Sequence, residues 1–250
     1  MRISDIWHYP VKGLGGARLE RVTLQAGCLI PGDREFAITN GHVKHDQTPA
    51  GTWMKKAFFL QLMKFDVLAE LDCTFDDQVM TIRRNGGTVL SVDPSDPAGV
   101  KEFEAFFDGL IGAGLDGKPR LTRITKGAYT DTNAPWISLG GTASVERFAE
   151  ITDTAADARR FRLNIMLDTA NPFEEAGLIG HTIRLGEAVL RVVEPVGRCA
   201  AIDVDPETAM RGLHYLPIMK QALGHTDLGI FAEITEGGQI AVGDRIEVLS

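Results

Sequence analysis

The stretch Thr182-Ile183-Arg184-Leu185-Gly186-Glu187-Ala188-Val189-Leu190-Arg191-Val192-Val193-Glu194 decides the fold class. Two short runs of β-branched and aliphatic residues, Thr182–Leu185 and Ala188–Glu194, flank a Gly186-Glu187 turn, which reads as strand, turn, strand. The same rhythm recurs at Ile3–Tyr9, Leu19–Leu24, Glu35–Thr39, Lys64–Leu71, Val79–Arg83, Thr88–Val92, Arg120–Ile124, Arg162–Leu167, Ile230–Ile234 and Arg245–Val248. With 27 glycines punctuating these segments, a barrel-like or sandwich-like β core is favoured over a helical bundle. Helical spacing is confined to Ala98–Ile111, Ser144–Glu150 and Leu216–Leu223; in the first, Val100, Phe103, Phe106, Phe107 and Leu110 share one face, as core packing requires. The predicted fold is mainly β (α+β), with two packed β-barrel-like lobes and a few peripheral helices. Asp93–Pro97 and Gly112–Gly117 bracket the first helix and divide the lobes at 1–112 and 113–250, with the site expected in the groove between them.

Composition narrows the partners. The 250 residues are 44% hydrophobic and 24% charged, an ordinary globular balance that excludes wholesale disorder. A formal charge of −8 argues against nucleic acid and against an anionic membrane, because both demand a basic field. Any anionic ligand needs a local basic island. Cys28, Cys73 and Cys199 are too few for a disulfide framework and form no Cys-x-x-Cys pair. The opening MRISDIWHYP places Asp5 and His8 where a signal peptide needs apolar residues, and no long apolar run follows, so the expectation is a cytoplasmic chain with no membrane partner.

Four segments carry potential chemistry. Val11-Lys12-Gly13-Leu14-Gly15-Gly16 follows the first predicted strand; glycines let backbone N–H groups approach an oxyanion and Lys12 adds a charge, although alone the stretch reads as an ordinary glycine turn. Pro31-Gly32-Asp33-Arg34 opens another strand, where Arg34 can offer a bidentate guanidinium; by itself Asp33-Arg34 reads as a surface ion pair. In Arg159-Arg160-Phe161-Arg162-Leu163-Asn164, strand alternation would project Arg160, Arg162 and Asn164 to one face, either as an anion clamp or as an edge-strand charge row. Last, Arg198 precedes Cys199 in a turn-rich segment, where positive charge favours the thiolate needed for metal ligation or attack; Cys28 and Cys73 read as structural. His42 and His45 are three apart, but Gly41 and polar neighbours suggest a hairpin tip and not a metal pair.

In order, these segments resemble the MOSC family, named for the C-terminal domain of molybdenum cofactor sulfurase. The resemblance runs through IxxIWxYPVKG, the GDR turn, RFRxN, RC followed by VDPET, and the closing IAVGDRIEVL. More closely, the chain looks like the branch with an N-terminal MOSC β-barrel lobe that includes the amidoxime-reducing components. That resemblance implies Cys199 as the molybdenum ligand and sole catalytic thiol, with a molybdenum cofactor (Mo-molybdopterin) held by Lys12, Gly13, Arg34, Arg162 and Asn164. It extends to Arg160 and Arg198, and through Thr130–Pro135 to Thr132 and Asn133. Gly13 stands where a serine is common, RFRLN replaces RFRPN, and Val196-Gly197 replaces a frequent cysteine or serine.

The implied activity is reduction of a small-molecule N-hydroxylated or other N–O substrate. With no four-cysteine set for an iron–sulfur centre, electrons are expected from a separate electron-transfer protein. Pyridoxal phosphate is not expected, since a sulfurtransferase region needs its own large domain. Two alternatives stay open: a molybdenum cofactor carrier or sulfur-transfer protein using Cys199, and a cofactor-free β-barrel binding module. Neither Asp203 nor His8 can be assigned as a general acid without geometry.

Overall fold

The computed structural model describes residues 1–42, 48–49 and 51–250. Its largest element is a curled sheet of eight strands: β1 (Arg2–His8), β2 (Ala17–Leu19), β9 (Trp136–Gly141), β10 (Ile165–Asp168), β11 (Thr182–Leu185), β12 (Ala188–Gly197), β13 (Asp227–Glu236) and β15 (Ile246–Val248). The spatial order is β15-β11-β12-β13-β9-β10-β1-β2, and every neighbouring pair is antiparallel except β9 with β10. Alternation produces its buried face: Ile137 and Leu139 from β9, Leu190 and Val192 from β12, and Ile230, Ala232 and Ile234 from β13 share one core, joined by Ile3 and Ile6 of β1, which a register shift between Ile3 and Asp5 brings to the same side. On the opposite face Arg191 and Glu233 are direct cross-strand partners 2.5 Å apart. The Thr182–Glu194 segment therefore forms the predicted hairpin, β11 to β12, with Leu185 opposite Ala188.

A second core gathers around β5 (Leu71–Asp76), β6 (Val79–Arg84) and β7 (Gly87–Val92), covered by α1 (Pro97–Ile111). Helix α1 starts where Asp96 accepts the Ala98 amide proton and Pro97 sits at the first position; it stops at Gly112, whose φ is 59°. Phe103 and Phe107 are fully buried beneath it, each worth about 1.5–3 kcal/mol of transfer free energy. Helices α2 (Thr142–Thr152) and α3 (Tyr215–Leu223) cover the other side of the large sheet.

The two cores do not follow a simple cut in the chain. Strand β1 closes the large sheet against β10, β3 (Arg21–Leu24) pairs with β14 (Gly238–Ala241), and β4 (Phe36–Ile38) pairs with β8 (Leu121–Arg123). Strands from residues 1–112 thus contribute to sheets completed by 113–250.

Three strand expectations need correction: Leu19–Leu24 breaks at Glu20 into the end of β2 and all of β3, which belong to different sheets, and two further segments become strand only late. Lys64–Leu71 is not a strand: Asp66–Glu70 forms a 3₁₀ turn, and the strand starts only at Leu71. The apolar spacing Phe65, Leu68, Leu71 is three residues, which a 3₁₀ turn stacks on one side. Arg162–Leu167 likewise fails over its first half. Asp157 caps a 3₁₀ turn at Ala158–Phe161, Arg162 is left-handed with φ 53°, and the strand begins at Ile165. Strand alternation therefore does not set the directions of Arg160 and Arg162. The spacing does not predict β9, β14 or, beyond Leu71, β5; β9 is masked by Gly140 and Gly141. A Cβ at Gly140 would lie 2.3 Å from Leu163 Cδ1, so the missing side chain is what lets the layers meet.

Gly229, in β13, makes a sharper case. Its φ is +90° and an added Cβ would fall 2.6 Å from the Leu139 carbonyl oxygen across the sheet. Gly229→Ala should destabilise the protein by roughly 1–3 kcal/mol from backbone strain alone. Urea denaturation checks this; an unchanged midpoint would show that the sheet absorbs the methyl group.

Candidate functional site

A cavity of about 360 Å³ opens where the loop after β1, the Asp33-Arg34 turn, the Thr130–Thr132 loop and the end of β12 converge. Its cationic wall is built by backbone turns. Strand β1 ends at His8, and Lys12 follows on a turn completed by Gly13 at φ +90°. The Asp33-Arg34 turn is locked to that segment: Arg34 donates its amide to the Tyr9 carbonyl at 2.6 Å, and Tyr9 donates its amide to Asp33 Oδ1 at 2.8 Å. Arg34 and Arg162 both adopt left-handed backbone, φ 50° and 53°, an uncommon conformation for a residue with a Cβ. Strain at two facing arginines is a mark of a site held by its surroundings.

Those conformations place both guanidiniums over the Tyr9 ring, at 4.6 and 4.5 Å from its centroid. Arg34 also donates to the Arg162 carbonyl at 2.7 Å, and Arg162 donates to the Leu14 carbonyl. Asp33 is the anion beneath them, 3% exposed, accepting from Arg34 and, at 3.0 Å, from Asn164 Nδ2. It is not a surface ion pair. Asn164 is fixed in turn by Ser138, whose Oγ donates to Asn164 Oδ1 at 3.0 Å.

Burial dominates the electrostatics. It pulls Arg162 down to about 10, with the Arg34 charge adding to the effect, and pulls Arg198 down to about 10. It pushes Tyr9 up to about 12 despite the guanidiniums beside it. Arg198 donates to the Phe161 carbonyl at 2.5 Å and positions Cys199 at the end of β12. Cys199 heads a 3₁₀ turn, Ala200–Asp203, and is partly exposed to the cavity.

Arg160 plays a different part from the one strand alternation implied. Its Nη1 donates to the Ile202 and Val204 carbonyls at 3.0 Å each, and its Nη2 to Asp205 Oδ2 at 2.7 Å. It touches the cavity but serves mainly to brace the turn behind Cys199.

The lining also includes Lys56, which no motif marked. Lys56 Nζ lies 2.9 Å from Asp131 Oδ2, and Lys12 Nζ lies 2.7 Å from Asp131 Oδ1. Burial pushes the Asp131 carboxyl up, yet the two ammonium groups outweigh it and hold it well below the usual carboxylate range. For Lys56, burial is outweighed by Asp131 and then by the nearby Cys199 sulfur, so its pKa is raised. Burial lowers that of Lys12.

Thr132 lines the cavity, whereas Asn133 is exposed and lies outside the lining. Asp203 and His8 also lie outside it. His45 falls outside the described residues; His42 packs edge-on against Phe58. The lining also holds Trp136 and Phe231, a tilted aromatic pair 5.9 Å between centroids on the same face of adjacent strands β9 and β13.

Two family models match. The MOSC N-terminal beta barrel domain matches residues 1–103 and the MOSC domain matches residues 132–247. The chain belongs to the MOSC family. Within it, the chain is 36% identical over 108 residues to the molybdenum cofactor sulfurase of Drosophila grimshawi, covering 41% of this chain and only 14% of that protein. Among solved structures it is similar to the YuaD protein from Bacillus subtilis, at 12% identity and a TM-score of 0.49, covering 99% of this chain and 94% of that one. It is also similar to YiiM from Geobacillus stearothermophilus, at 19% identity and a TM-score of 0.35, covering 46% and 54%. Among the described residues no helix is long and apolar enough to cross a membrane.

In this MOSC protein the residues suit a sulfur-bound metal on an anionic organic ligand. Among the described residues, Lys12, Arg34, Lys56, Arg160, Arg162 and Arg198 line the cavity against one lining carboxylate, Asp131. Arg160 Nε, Arg162 Nη2 and Arg198 Nε are buried with no hydrogen-bond partner among the described residues. Buried donors left in that state cost about 1–3 kcal/mol each, which a bound acceptor would recover. Cys199 supplies a soft donor on the same wall.

Proposed function

We propose that this MOSC protein binds the molybdenum cofactor and reduces N-hydroxylated or related N–O compounds, in a reducing cytoplasm, with electrons from a separate protein. The observation that carries the reading is the surplus of cavity cations, three of them with buried donors that lack a partner among the described residues, beside the thiol of Cys199. The N–O substrate class rests on the resemblance to the amidoxime-reducing branch.

Lys12, Arg34, Arg162 and Arg198 would hold the anionic part of the cofactor, and Cys199 would ligate its metal. When bound, the cofactor supplies two-electron oxygen-atom-transfer chemistry. The chain's contribution is placement. Asp33 and Asn164 keep the arginines aimed into the cavity, Arg160 braces the turn that carries Cys199, and Trp136 with Phe231 presents an apolar face to a small organic substrate. In the net reaction the N–O bond breaks, two electrons and two protons enter, and the oxygen leaves as water.

The likeness to a molybdenum cofactor sulfurase favours a second reading, a cofactor carrier or sulfur-transfer protein working through Cys199. Expression in a molybdopterin-competent host separates the two. Metal and pterin are measured per chain, and benzamidoxime reduction is assayed with a chemical electron donor. One metal per chain with turnover is the expected result. Metal without turnover favours the carrier, and a well-folded chain with neither removes both readings.

A further inference from the structure

The geometry points to Asp131 as an internal placeholder: we propose that its carboxylate occupies the Lys12–Lys56 pair until the phosphate group of an incoming ligand displaces it. The inference deepens the reading above, on which it rests, by adding Lys56 and Asp131 to the anion-binding machinery.

The argument begins with an asymmetry of burial. The Lys12 side chain is 11% exposed, while that of Asp131 is 51% exposed. Removing the anion from Lys12 without replacing it would leave a nearly buried ammonium with the Tyr129 carbonyl, 2.8 Å away, as its remaining neutral partner, which is costly; Asp131, half exposed, is rehydrated as it leaves and gives up its two lysine contacts. The pair can therefore be parted only if another anion arrives, and Asp131 is the member free to leave.

Chain connectivity supports the same conclusion. Lys12 and Lys56 come from the segments after β1 and before β5, whereas Asp131 lies between β8 and β9 in a loop with no strand or helix of its own. The base of the loop is tethered before Asp131: Tyr129 donates its amide to the Arg34 carbonyl at 2.9 Å, accepts from Lys12 Nζ on its own carbonyl at 2.8 Å and pairs its hydroxyl with Thr122 at 2.9 Å, while Trp53 Nε1 donates to the Thr130 carbonyl at 3.1 Å. Those tethers hold the base of the loop and leave the Asp131 side chain as its movable end.

The cavity behind is short of negative charge. Asp33 is already used by Arg34 and Asn164, and Asp205 by Arg160, so Asp131 is the carboxylate most easily exchanged for a ligand oxyanion. A phosphate has more acceptor oxygens than a carboxylate fixed to the chain, and Arg162, whose Nη2 is unpartnered among the described residues, lines the same cavity as both lysines.

Inorganic pyrophosphate serves as the probe, titrated calorimetrically into the full chain free of cofactor. Asp131→Asn should bind it about five- to tenfold more tightly than the unaltered chain, because an internal competitor has been removed. Lys56→Gln in the Asp131→Asn background should lose most of that gain. Trp53 emission should shift on titration of the unaltered chain, and the Trp53→Phe variant should lack that component. If the unaltered chain binds pyrophosphate and Asp131→Asn binds it no more tightly, the placeholder is wrong while the anion site stands. If neither binds, both fall. An intact gain in the Lys56→Gln double variant removes Lys56 from the site.

Discussion

Alanine in place of Asp33 should destabilise the fold by about 3–5 kcal/mol, the range for stranding a buried charge after its partner is removed. Asp33 is buried and accepts from the Tyr9 amide, Arg34 Nη1 and Asn164 Nδ2. Its loss removes the carboxylate bonded to Arg34 and its charge from nearby Arg162, both guanidiniums lying over the Tyr9 ring. It also loosens Arg34, whose other guanidinium nitrogen donates to the Arg162 carbonyl. Urea denaturation monitored by circular dichroism measures the effect. A loss below about 1 kcal/mol, the scale of an exposed pair, would show that water reaches this carboxylate and that its burial is not what organises the site. Added pyrophosphate should return part of the loss, because an anion that binds only the folded chain stabilises it by mass action.

Cys199→Ala should reduce turnover to background and molybdenum content per chain to a small fraction, while leaving stability within about 0.5 kcal/mol. The small stability cost follows from the local structure. Cys199 is only partly buried, and the 3₁₀ turn it heads takes no side-chain cap from it. Arg160, bonded to the Ile202 and Val204 carbonyls, and Arg198, bonded to the Phe161 carbonyl, hold that turn without the sulfur. Metal analysis, turnover and thermal unfolding on one preparation test all parts together. Undiminished activity would end the assignment of Cys199 as the essential ligand, and a large loss of stability would show that the thiol has a structural role.

Much of the fold was legible because hydrophobic period reports burial directly. The face of Phe103 and Phe107 and the Thr182–Glu194 hairpin appear where the spacing placed them. Strand β9 was hidden for a physical reason: its last two positions are glycines selected by close approach to Leu163 and Glu175, so the usual β-branched signal is missing where packing is tightest. The site was legible in residue type but not in direction. Arginine, lysine and cysteine at these positions announced an anion and a soft metal, yet left-handed backbone at Arg34 and Arg162 sends those side chains along routes that no alternation rule describes. Lys56 carried no signal of its own. It follows Lys55 before an ordinary apolar run, and only the fold brings it to Asp131, 75 positions away.

Strand β1 pairs on one side with β10, more than 150 residues later along the chain, and on the other with β2. Contacts closed across so long a loop are entropically late, so the large sheet forms slowly, and during synthesis its first strand emerges well before its β10 neighbour exists. Until then the apolar side chains of Ile3 and Ile6 have no finished surface to cover them. The Lys12 and Asp33-Arg34 turns hang from the same strand, so the anion pocket is one of the last features to take shape. For the same reason the two matched segments are not separable modules: a cut between residues 103 and 132 would leave β10 with an open edge and remove the pocket's lysines from its cysteine.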